Sequence, residues 1–116
     1  MRAIMALGMV LAASVVEAAS AGLSCTGVSS VLKHGTEETD QPDSHSIILD
    51  TANNKLTVDN QLMPIKNISD DRIDAVLDGT FRAITVRLDI TGKVFIAMTF
   101  PTIDTLVSFQ GICKAT

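Results

Sequence analysis

The stretch FRAITVRLDITGKVFIAMTF, residues 81–100, decides the fold class of this chain. Apolar and polar side chains alternate through its first half, where one face carries Ile84, Val86, Leu88 and Ile90. The alternation resumes after Thr91-Gly92, with Val94, Ile96, Met98 and Phe100 on one face. A period of two residues is typical of a half-buried strand, and Thr91-Gly92 supplies a turn. The stretch therefore predicts a β-hairpin, which Pro101 ends because proline cannot donate to a central ladder.

Weaker versions of the same pattern occur along the rest of the chain. SIILD (46–50) and KLTVD (55–59) flank TANN (51–54), where asparagine tolerates left-handed backbone, so they predict a second hairpin. Further strand-like runs occupy 62–68, 72–77 and 105–114, and the Ser- and Gly-rich residues 25–32 are typical of an edge strand. The predicted fold is all-β, with about seven or eight short antiparallel strands in a sandwich or a flattened barrel.

One segment does not fit this pattern. Residues 33–45, KHGTEETDQPDSH, have no apolar side chain apart from Pro42. Polar, turn-forming composition of this kind predicts a mobile loop between two strands.

The N-terminus has the features of an export signal. Arg2 precedes an almost wholly apolar run over residues 3–16, and small residues follow, with a possible cleavage site after Ala18 or after Ala21. A bilayer-spanning helix needs roughly 20 apolar residues, so this run is too short to anchor the chain. We predict a signal-peptide helix over residues 1–21, no stable membrane insertion after its removal, and a single mature domain over residues 22–116.

Two cysteines lie near the ends of that mature domain. Cys25 and Cys113 are the only cysteines in the chain, and we expect them to form a structural disulfide. A lipid on Cys25 is the alternative, but Leu23 stands one position too close to the cysteine for a lipoprotein signal. A leader and a disulfide together predict an exported protein, in the periplasm or outside the cell.

Composition argues against several classes of partner. The net charge of −4 repels phosphate backbones, and the absence of Trp and Tyr removes stacking platforms for bases and sugars, so no nucleic-acid partner is expected.

No arrangement of residues indicates catalysis, a metal or a cofactor, and none is expected. The sequence has no G-x-S-x-G nucleophile motif and no C-x-x-C. The aspartates at 70, 71, 74 and 78 lack the spacing of a calcium loop and predict a solvated turn and strand face. His34 and His45 bracket the polar loop with only carboxylates nearby, which is a poor zinc set.

The chain also resembles a family of small exported bacterial single-disulfide β-proteins of unknown function. The matching segments are Ile48-Leu49-Asp50 with Lys55-Leu56-Thr57-Val58, Pro64-Ile65-Lys66-Asn67-Ile68 with Ile73, Arg87-Leu88-Asp89-Ile90-Thr91-Gly92, and Gly111-Ile112-Cys113-Lys114. Ile90 departs from the pattern, where the family has an arginine. The resemblance implies a β-fold and a periplasmic or secreted address, and it supplies no catalytic residues.

We therefore expect a non-catalytic binding or interaction module of the cell envelope, with an unknown protein or small ligand as its partner. Two alternatives remain open: an inhibitor of an exported hydrolase such as a protease or a lysozyme, and a carrier of a small apolar ligand. The oligomeric state is also open.

Overall fold

Eight antiparallel strands close into a barrel in the computed structural model, which describes residues 6–7, 10–15, 20–37 and 40–116. The strands are β1 (Ala6–Leu7), β2 (Val10–Val15), β3 (Ser20–Lys33), β4 (Thr36–Glu37), β5 (Gln41–Asp50), β6 (Lys55–Val58), β7 (Gln61–Ile68), β8 (Arg72–Asp78), β9 (Ala83–Asp89), β10 (Lys93–Phe100) and β11 (Thr105–Ala115). Short 3-10 turns occupy Thr51–Asn53 and Pro101–Ile103. β1 pairs only with β2, and β4 pairs only with the end of β3. The predicted leader helix over residues 1–21 lies for the most part outside the described residues and stays a prediction.

The barrel is a meander. From β5 onwards each strand pairs with the next one in the chain, and β11 returns to pair with β3, which also pairs with β5. Of the two predicted architectures, the structure therefore has the barrel. The prediction that residues 25–32 form an edge strand is wrong, because β3 has a partner on both sides.

Closure brings the first and last barrel strands unusually close together. Gly27 lies opposite Gly111 in the β3–β11 register. A Cβ on Gly27 would stand 2.0 Å from the backbone oxygen of Gln110, and one on Gly111 would stand 2.3 Å from that of Thr26. Both positions thus need glycine because another backbone occupies the space of a side chain.

The barrel interior is filled by alternate side chains. Ile84, Val86 and Leu88 of β9 and Val94 and Ile96 of β10 are buried, as the alternation in residues 81–100 predicts. Ile90, predicted on the same face as Leu88, is instead 51% exposed, because β9 ends at Asp89 and Ile90 lies in the turn. The other buried side chains come from the remaining strands: Leu23, Cys25, Ile47, Leu49, Leu56, Val58, Met63, Ile65, Ile73, Ala75, Phe109 and Cys113. Among the described residues, no buried residue is polar or charged. An eight-stranded barrel is just wide enough for side chains to fill, and here they do.

The turns follow local backbone chemistry. Asn54 and Gly92 have φ angles of 58° and 91°, and they lie in the predicted β5–β6 and β9–β10 hairpin turns. Asp59 and Asn60 also have positive φ, 48° and 74°, and form the two-residue connection between β6 and β7. Two successive positive φ angles are characteristic of a type I′ hairpin turn, for which Asn and Asp are suited.

Most of the described residues within the predicted loop, 33–37 and 40–45, are strand, and this corrects the loop assignment. Lys33 ends β3, Thr36–Glu37 form β4, and β5 begins at Gln41. Ten residues of β5 pair with β3, from Gln41 opposite Ser29 to Asp50 opposite Ser20. Pairing with a long neighbouring strand outweighs the low β-propensity of Gln41 to His45, because propensity in sheets depends on context.

One end of the barrel, which we call the open end, carries the turns at residues 34–35, 59–60, 79–82 and 101–104. β6 is only four residues long and pairs with Ile47 to Asp50 of β5. The part of β5 nearer the open end has no neighbour on that side among the described strands. The wall of the barrel is therefore low at this point, and polar side chains gather there.

Candidate functional site

Three titratable side chains form a connected cluster at the low part of the wall. Both ring nitrogens of His45 face carboxylates: Nε2 lies 3.0 Å from Asp43 Oδ2, and Nδ1 makes a short contact with Asp59 Oδ2. Ser29 Oγ extends the cluster by donating to Asp43 Oδ2 at 2.8 Å. A neutral imidazole has one N–H, so only the imidazolium form donates to both carboxylates at once.

The strand geometry explains why these residues meet. Asp43 and His45 lie on the same face of β5 as the buried Ile47 and Leu49, because side chains two apart in a strand point the same way. They are nearer the open end than Ile47, so water still reaches them: the side chains are 38% and 22% exposed. Asp59 reaches His45 because the type I′ turn places it beside Ser46, the next residue along β5.

Each carboxylate also binds a backbone amide. The other oxygen of Asp43, Oδ1, accepts the N–H of Ser44 at 2.8 Å. The other oxygen of Asp59, Oδ1, accepts the N–H of Ser46 at 2.9 Å, and the N–H of Asp59 donates to the carbonyl of Ser46. His45 therefore holds two carboxylates, each of which binds an amide of β5.

The environment lowers the pKa of Asp43. Burial alone would raise this pKa, but hydrogen bonds from Ser29 Oγ and the Ser44 N–H, together with the charge and hydrogen bond of His45, lower it below the ordinary value of 3.8. Hydrogen bonds to the ionised form favour that form. Asp43 is consequently a carboxylate down to low pH.

An aromatic contact supports the imidazole of His45 on the side that faces the core. The ring of His45 meets the ring of Phe109 edge to face, with centroids 4.5 Å apart and an interplanar angle of 77°. Phe109 is a fully buried residue of β11 and therefore a rigid support. The cluster rests on the core rather than on a loop.

A small recess opens beside the cluster. It has a volume of about 230 Å³, and its apolar part is formed by Val58, Ile84, Ile96 and Met98. Its rim carries His45, Asp59 and Asn60, together with Arg82, whose guanidinium donates to the side chain of Gln61. Pockets for whole ligands usually measure about 300–1,000 Å³, so this recess suits a single side chain.

The order of contacts in the cluster is not that of a hydrolytic triad. A serine nucleophile must bind the histidine, which takes its proton, and a carboxylate must orient that histidine. Here Asp43 stands between Ser29 and His45. The described residues also contain no group of three or more His, Cys, Asp or Glu side chains arranged to hold a metal ion.

Two apolar side chains project from loops at the open end. Phe81, in the β8–β9 loop, is 71% exposed, and Ile103, in the β10–β11 turn, is 55% exposed. The exposed aspartates Asp40, Asp59, Asp78 and Asp104 lie at the same end. His34, at the β3–β4 turn, lies 3.8 Å from the carboxylate of Asp104. The open end is thus acidic, with apolar tips.

A broad groove of about 670 Å³ lies on the outer surface of the sheet, towards the other end. Arg72, Arg87 and Lys93 line it together with Asp71 and Asp89. Its charges nearly balance, and Arg72 and Arg87 already share Asp74, at 3.2 and 3.3 Å. The groove therefore presents no clear preference for an anion or a cation.

The structure brings together the two residues of the predicted disulfide. Cys25 and Cys113 are bonded, and they face each other in the β3–β11 register. This disulfide is compatible with an oxidising, exported location. The bond closes the barrel seam rather than forming part of a reactive site.

The four aspartates between residues 70 and 78 occupy a turn and a strand, as predicted. Asp70 and Asp71 lie in the β7–β8 turn, where Asp71 accepts the hydroxyl of Ser69, while Asp74 and Asp78 lie on β8. His34 and His45 are also far apart in the structure, one in a turn and the other on β5. Sequence reasoning missed Asp59 and Asn60, although Asp and Asn are turn residues that tolerate left-handed backbone, and here they separate two strand-like runs.

Comparisons of the chain with protein-family models, with curated proteins and with solved structures find no match. The family resemblance of the strand and turn motifs therefore stays a prediction. The described part of the chain contains no helix that is both long and apolar enough to cross a membrane.

Proposed function

We propose that this chain is a non-catalytic binding module of the cell envelope, exported to the periplasm or the exterior, which binds a basic protein through the open end of its barrel. The observation that carries the proposal is the combination of Phe81 and Ile103, both largely exposed at loop tips, with surrounding carboxylates. The filled interior directs attention to this surface, since it leaves little room for a ligand inside.

The apolar tips supply the contact energy. Aromatic side chains at the centre of an interface dominate many protein–protein contacts, and a side chain as exposed as Phe81 gains most from being covered. Ile103 lies at the same end and enlarges the apolar part of the surface. The small recess near His45 adds a place for one side chain of the partner.

Charge supplies the selectivity. Asp40, Asp59, Asp78 and Asp104 surround the tips, against Lys33 and Arg82 as the fixed cations at this end. Complementary charge steers encounter and suppresses partners of like sign. The expected partner therefore presents a basic surface.

A pair of matched double variants tests the proposal. Phe81→Ala with Ile103→Ala removes the tips at the open end, whereas Ile68→Ala with Ile90→Ala removes two side chains of similar exposure, 47% and 51%, at the opposite end. Each mature protein is used as bait for envelope extract, and captured proteins are quantified by mass spectrometry. We expect a partner whose recovery falls at least about tenfold with the open-end variant and is unchanged with the control, since two interface anchors together contribute upwards of 1.4 kcal/mol.

Equal recovery of every captured protein by the two variants would contradict the proposal. Circular dichroism of both variants shows whether a loss of capture reflects a loss of folding. All four substituted side chains are exposed, so the fold should survive each change.

The acidic open end also favours a more specific function, inhibition of a basic exported hydrolase such as a lysozyme. A c-type lysozyme is a suitable probe because it is strongly basic. If the chain inhibits it, Asp40→Lys with Asp104→Lys should abolish inhibition by reversing charge at the contact. Absence of inhibition by the wild-type domain would remove this candidate and leave the general binding role.

A further inference from the structure

His45 links the part of β5 near the open end to the turn between β6 and β7. Its Nε2 lies 3.0 Å from Asp43 Oδ2 on β5, and its Nδ1 contacts Asp59 Oδ2 in the turn. The side chain of His45 is 22% exposed, so it can exchange a proton with water. Histidine is the side chain that ordinarily changes charge between about pH 5 and 8. The link between strand and turn is therefore placed to respond to pH.

The charged groups that face the imidazole come from three elements. Asp43 lies on β5, Asp59 in the β6–β7 turn, and Arg82 lines the same recess from the β8–β9 loop. The neighbouring strands β3, β9, β10 and β11 contribute uncharged side chains: Ser29, Ile84, Ile96, Met98 and Phe109. The guanidinium of Arg82 donates to the side chain of Gln61. The imidazole thus lies between two carboxylates, with one fixed cation beside the same recess.

Loss of the imidazolium proton changes one of the two contacts from attraction to repulsion. The imidazolium donates from both nitrogens, whereas the neutral ring has one N–H and one lone pair. A ring nitrogen without a proton and a carboxylate oxygen are both acceptors, so they repel each other at hydrogen-bond distance. The carboxylate that is held less firmly by other groups should therefore turn away from the neutral ring.

Asp43 is the more firmly held of the two carboxylates. It also accepts hydrogen bonds from Ser29 Oγ on β3 and from the Ser44 N–H on β5, both at 2.8 Å. The Asp59 side chain has one further bond, from a backbone amide at 2.9 Å, and it is 49% exposed. The single proton of the neutral ring is best placed on Nε2, facing the carboxylate that cannot move. The lone pair of Nδ1 then faces Asp59.

We propose that the protonation state of His45 is a switch for Asp59: the imidazolium holds the Asp59 carboxylate against β5, and the neutral ring releases it to the rim of the recess. Release breaks the bond from the Ser46 N–H to Asp59 Oδ1, because the two oxygens of a carboxylate move together. The bond from the Asp59 N–H to the Ser46 carbonyl does not involve the carboxylate, so the turn itself stays in place.

The released carboxylate lies where the proposed function places a basic partner. The imidazolium form offsets part of the negative charge at the rim, and the neutral form leaves Asp59 free to bind a cation of the partner. On the basis of the proposed function, the partner should therefore bind more tightly above the pH range in which histidine loses its proton than below it. The switch itself belongs to the isolated domain, and its test needs no partner.

A pH titration of the isolated mature domain by NMR tests the switch. Ring ¹⁵N shifts report the charge of His45, and amide exchange with water, corrected for its intrinsic pH dependence, reports the protection of individual amides. Between about pH 5 and 8 we expect protection of the Ser46 amide to fall about tenfold, with the midpoint of the His45 titration, because hydrogen bonds to charged groups are among the stronger ones. The amides of Asp59 and Ser44 should keep their protection.

The second histidine of the chain supplies a matched control. His34 lies in the β3–β4 turn with its side chain 69% exposed, and His34→Gln should leave the transition at the Ser46 amide unchanged. His45→Gln has no titrating ring at the cluster and should abolish the transition. Asp59→Asn keeps an oxygen for the Ser46 amide and can donate its own N–H to the neutral Nδ1, so this amide should stay protected across the titration.

The switch is refuted if the Ser46 amide keeps its protection while His45 loses its proton, or if His45 does not change charge in this range. Loss of protection at Ser44 in place of Ser46 also refutes it, because Asp43 would then be the carboxylate that is released. A transition that persists in His45→Gln belongs to another group and overturns the proposal. The wild-type titration gives the first three of these results without any variant, so a variant that fails to fold does not prevent a decision.

Discussion

Reduction of the Cys25–Cys113 bond should cost this domain a large part of its stability. The bond joins residues 88 apart in sequence and so constrains a loop that contains nearly all of the barrel. In the chain-entropy model, a loop of that length corresponds to about 4–5 kcal/mol at room temperature. Domains of this size have a total stability of about 5–15 kcal/mol, so the reduced protein should be marginally stable.

The expected shift in melting temperature follows from the same value. For a domain of this length each kcal/mol corresponds to about 4–8 °C, so reduction should lower Tm by roughly 15–40 °C. Thermal unfolding of the mature protein is followed by circular dichroism with and without reductant. The test is clean because the chain has no other cysteine on which the reductant could act.

A variant with both cysteines replaced by alanine separates the loop constraint from packing. The two sulfurs are buried, at 0% and 8% residue exposure, so their removal leaves small voids in addition to opening the loop. The variant should therefore melt somewhat below the reduced wild type. Equal melting temperatures with and without reductant would refute the reasoning, because the loop constraint would then contribute nothing.

Three further predictions concern the barrel wall. Gly27→Ala should destabilise the domain by several kcal/mol, since its Cβ would stand 2.0 Å from a backbone oxygen. Gly22→Ala should cost far less stability, because its Cβ would meet only a side-chain atom, at 2.9 Å. Urea unfolding compares the two variants, and equal losses of stability would contradict the close approach of β3 and β11. Val86→Asp should be far more damaging than Thr85→Asp in the same assay, because Val86 is fully buried and Thr85 is exposed, and comparable losses would mean that the strand faces the other way. The pKa of Asp43 is lowered on folding, so its carboxylate should stabilise the domain above its unfolded pKa and lose that contribution as the pH falls through the folded pKa. Asp43→Ala should therefore reduce the slope of stability against pH below about 4, and an unchanged slope would contradict this expectation.

The strands could be predicted wherever the barrel interior is dry. The alternate side chains of β9 and β10 that enter the core must be apolar because the core is dry, and this requirement produces the visible alternation. The same rule fails at Asp43 and His45, which face inward at the open end, where water reaches them. Their polar character predicted a loop, although the backbone is strand.

Closure of the barrel is indicated less clearly in the sequence than the individual strands are. Cys25 and Gly27 near one end of the mature chain mirror Gly111 and Cys113 near the other, with the same spacing in reverse. Two strands that pair antiparallel along both cysteines would set glycine opposite glycine, as they do in the structure. The predicted edge strand could thus have been recognised as a paired one.

The cluster around His45 could not be predicted from spacing alone. Asp59 lies 14 residues from His45 and reaches it only because β6 is short and its turn is tight. The length of β6 depends on where pairing with β5 stops, which is a property of the assembled sheet. Recognition of Asp59-Asn60 as a turn would have placed the carboxylate near the open end, but not on the imidazole.

The position of the termini gives the barrel a direction. The N–H of Thr116 donates to the carbonyl of Gly22 at 3.0 Å, so the start of β3 and the end of β11 lie side by side, at the end opposite Phe81 and Ile103. A tether, fusion partner or immobilising tag joined to the start of β3 or to the end of β11 will accordingly direct those two side chains away from the surface that holds the protein. The pairing of β3 with β11 therefore closes the barrel and also determines which end of it faces away from an attachment surface.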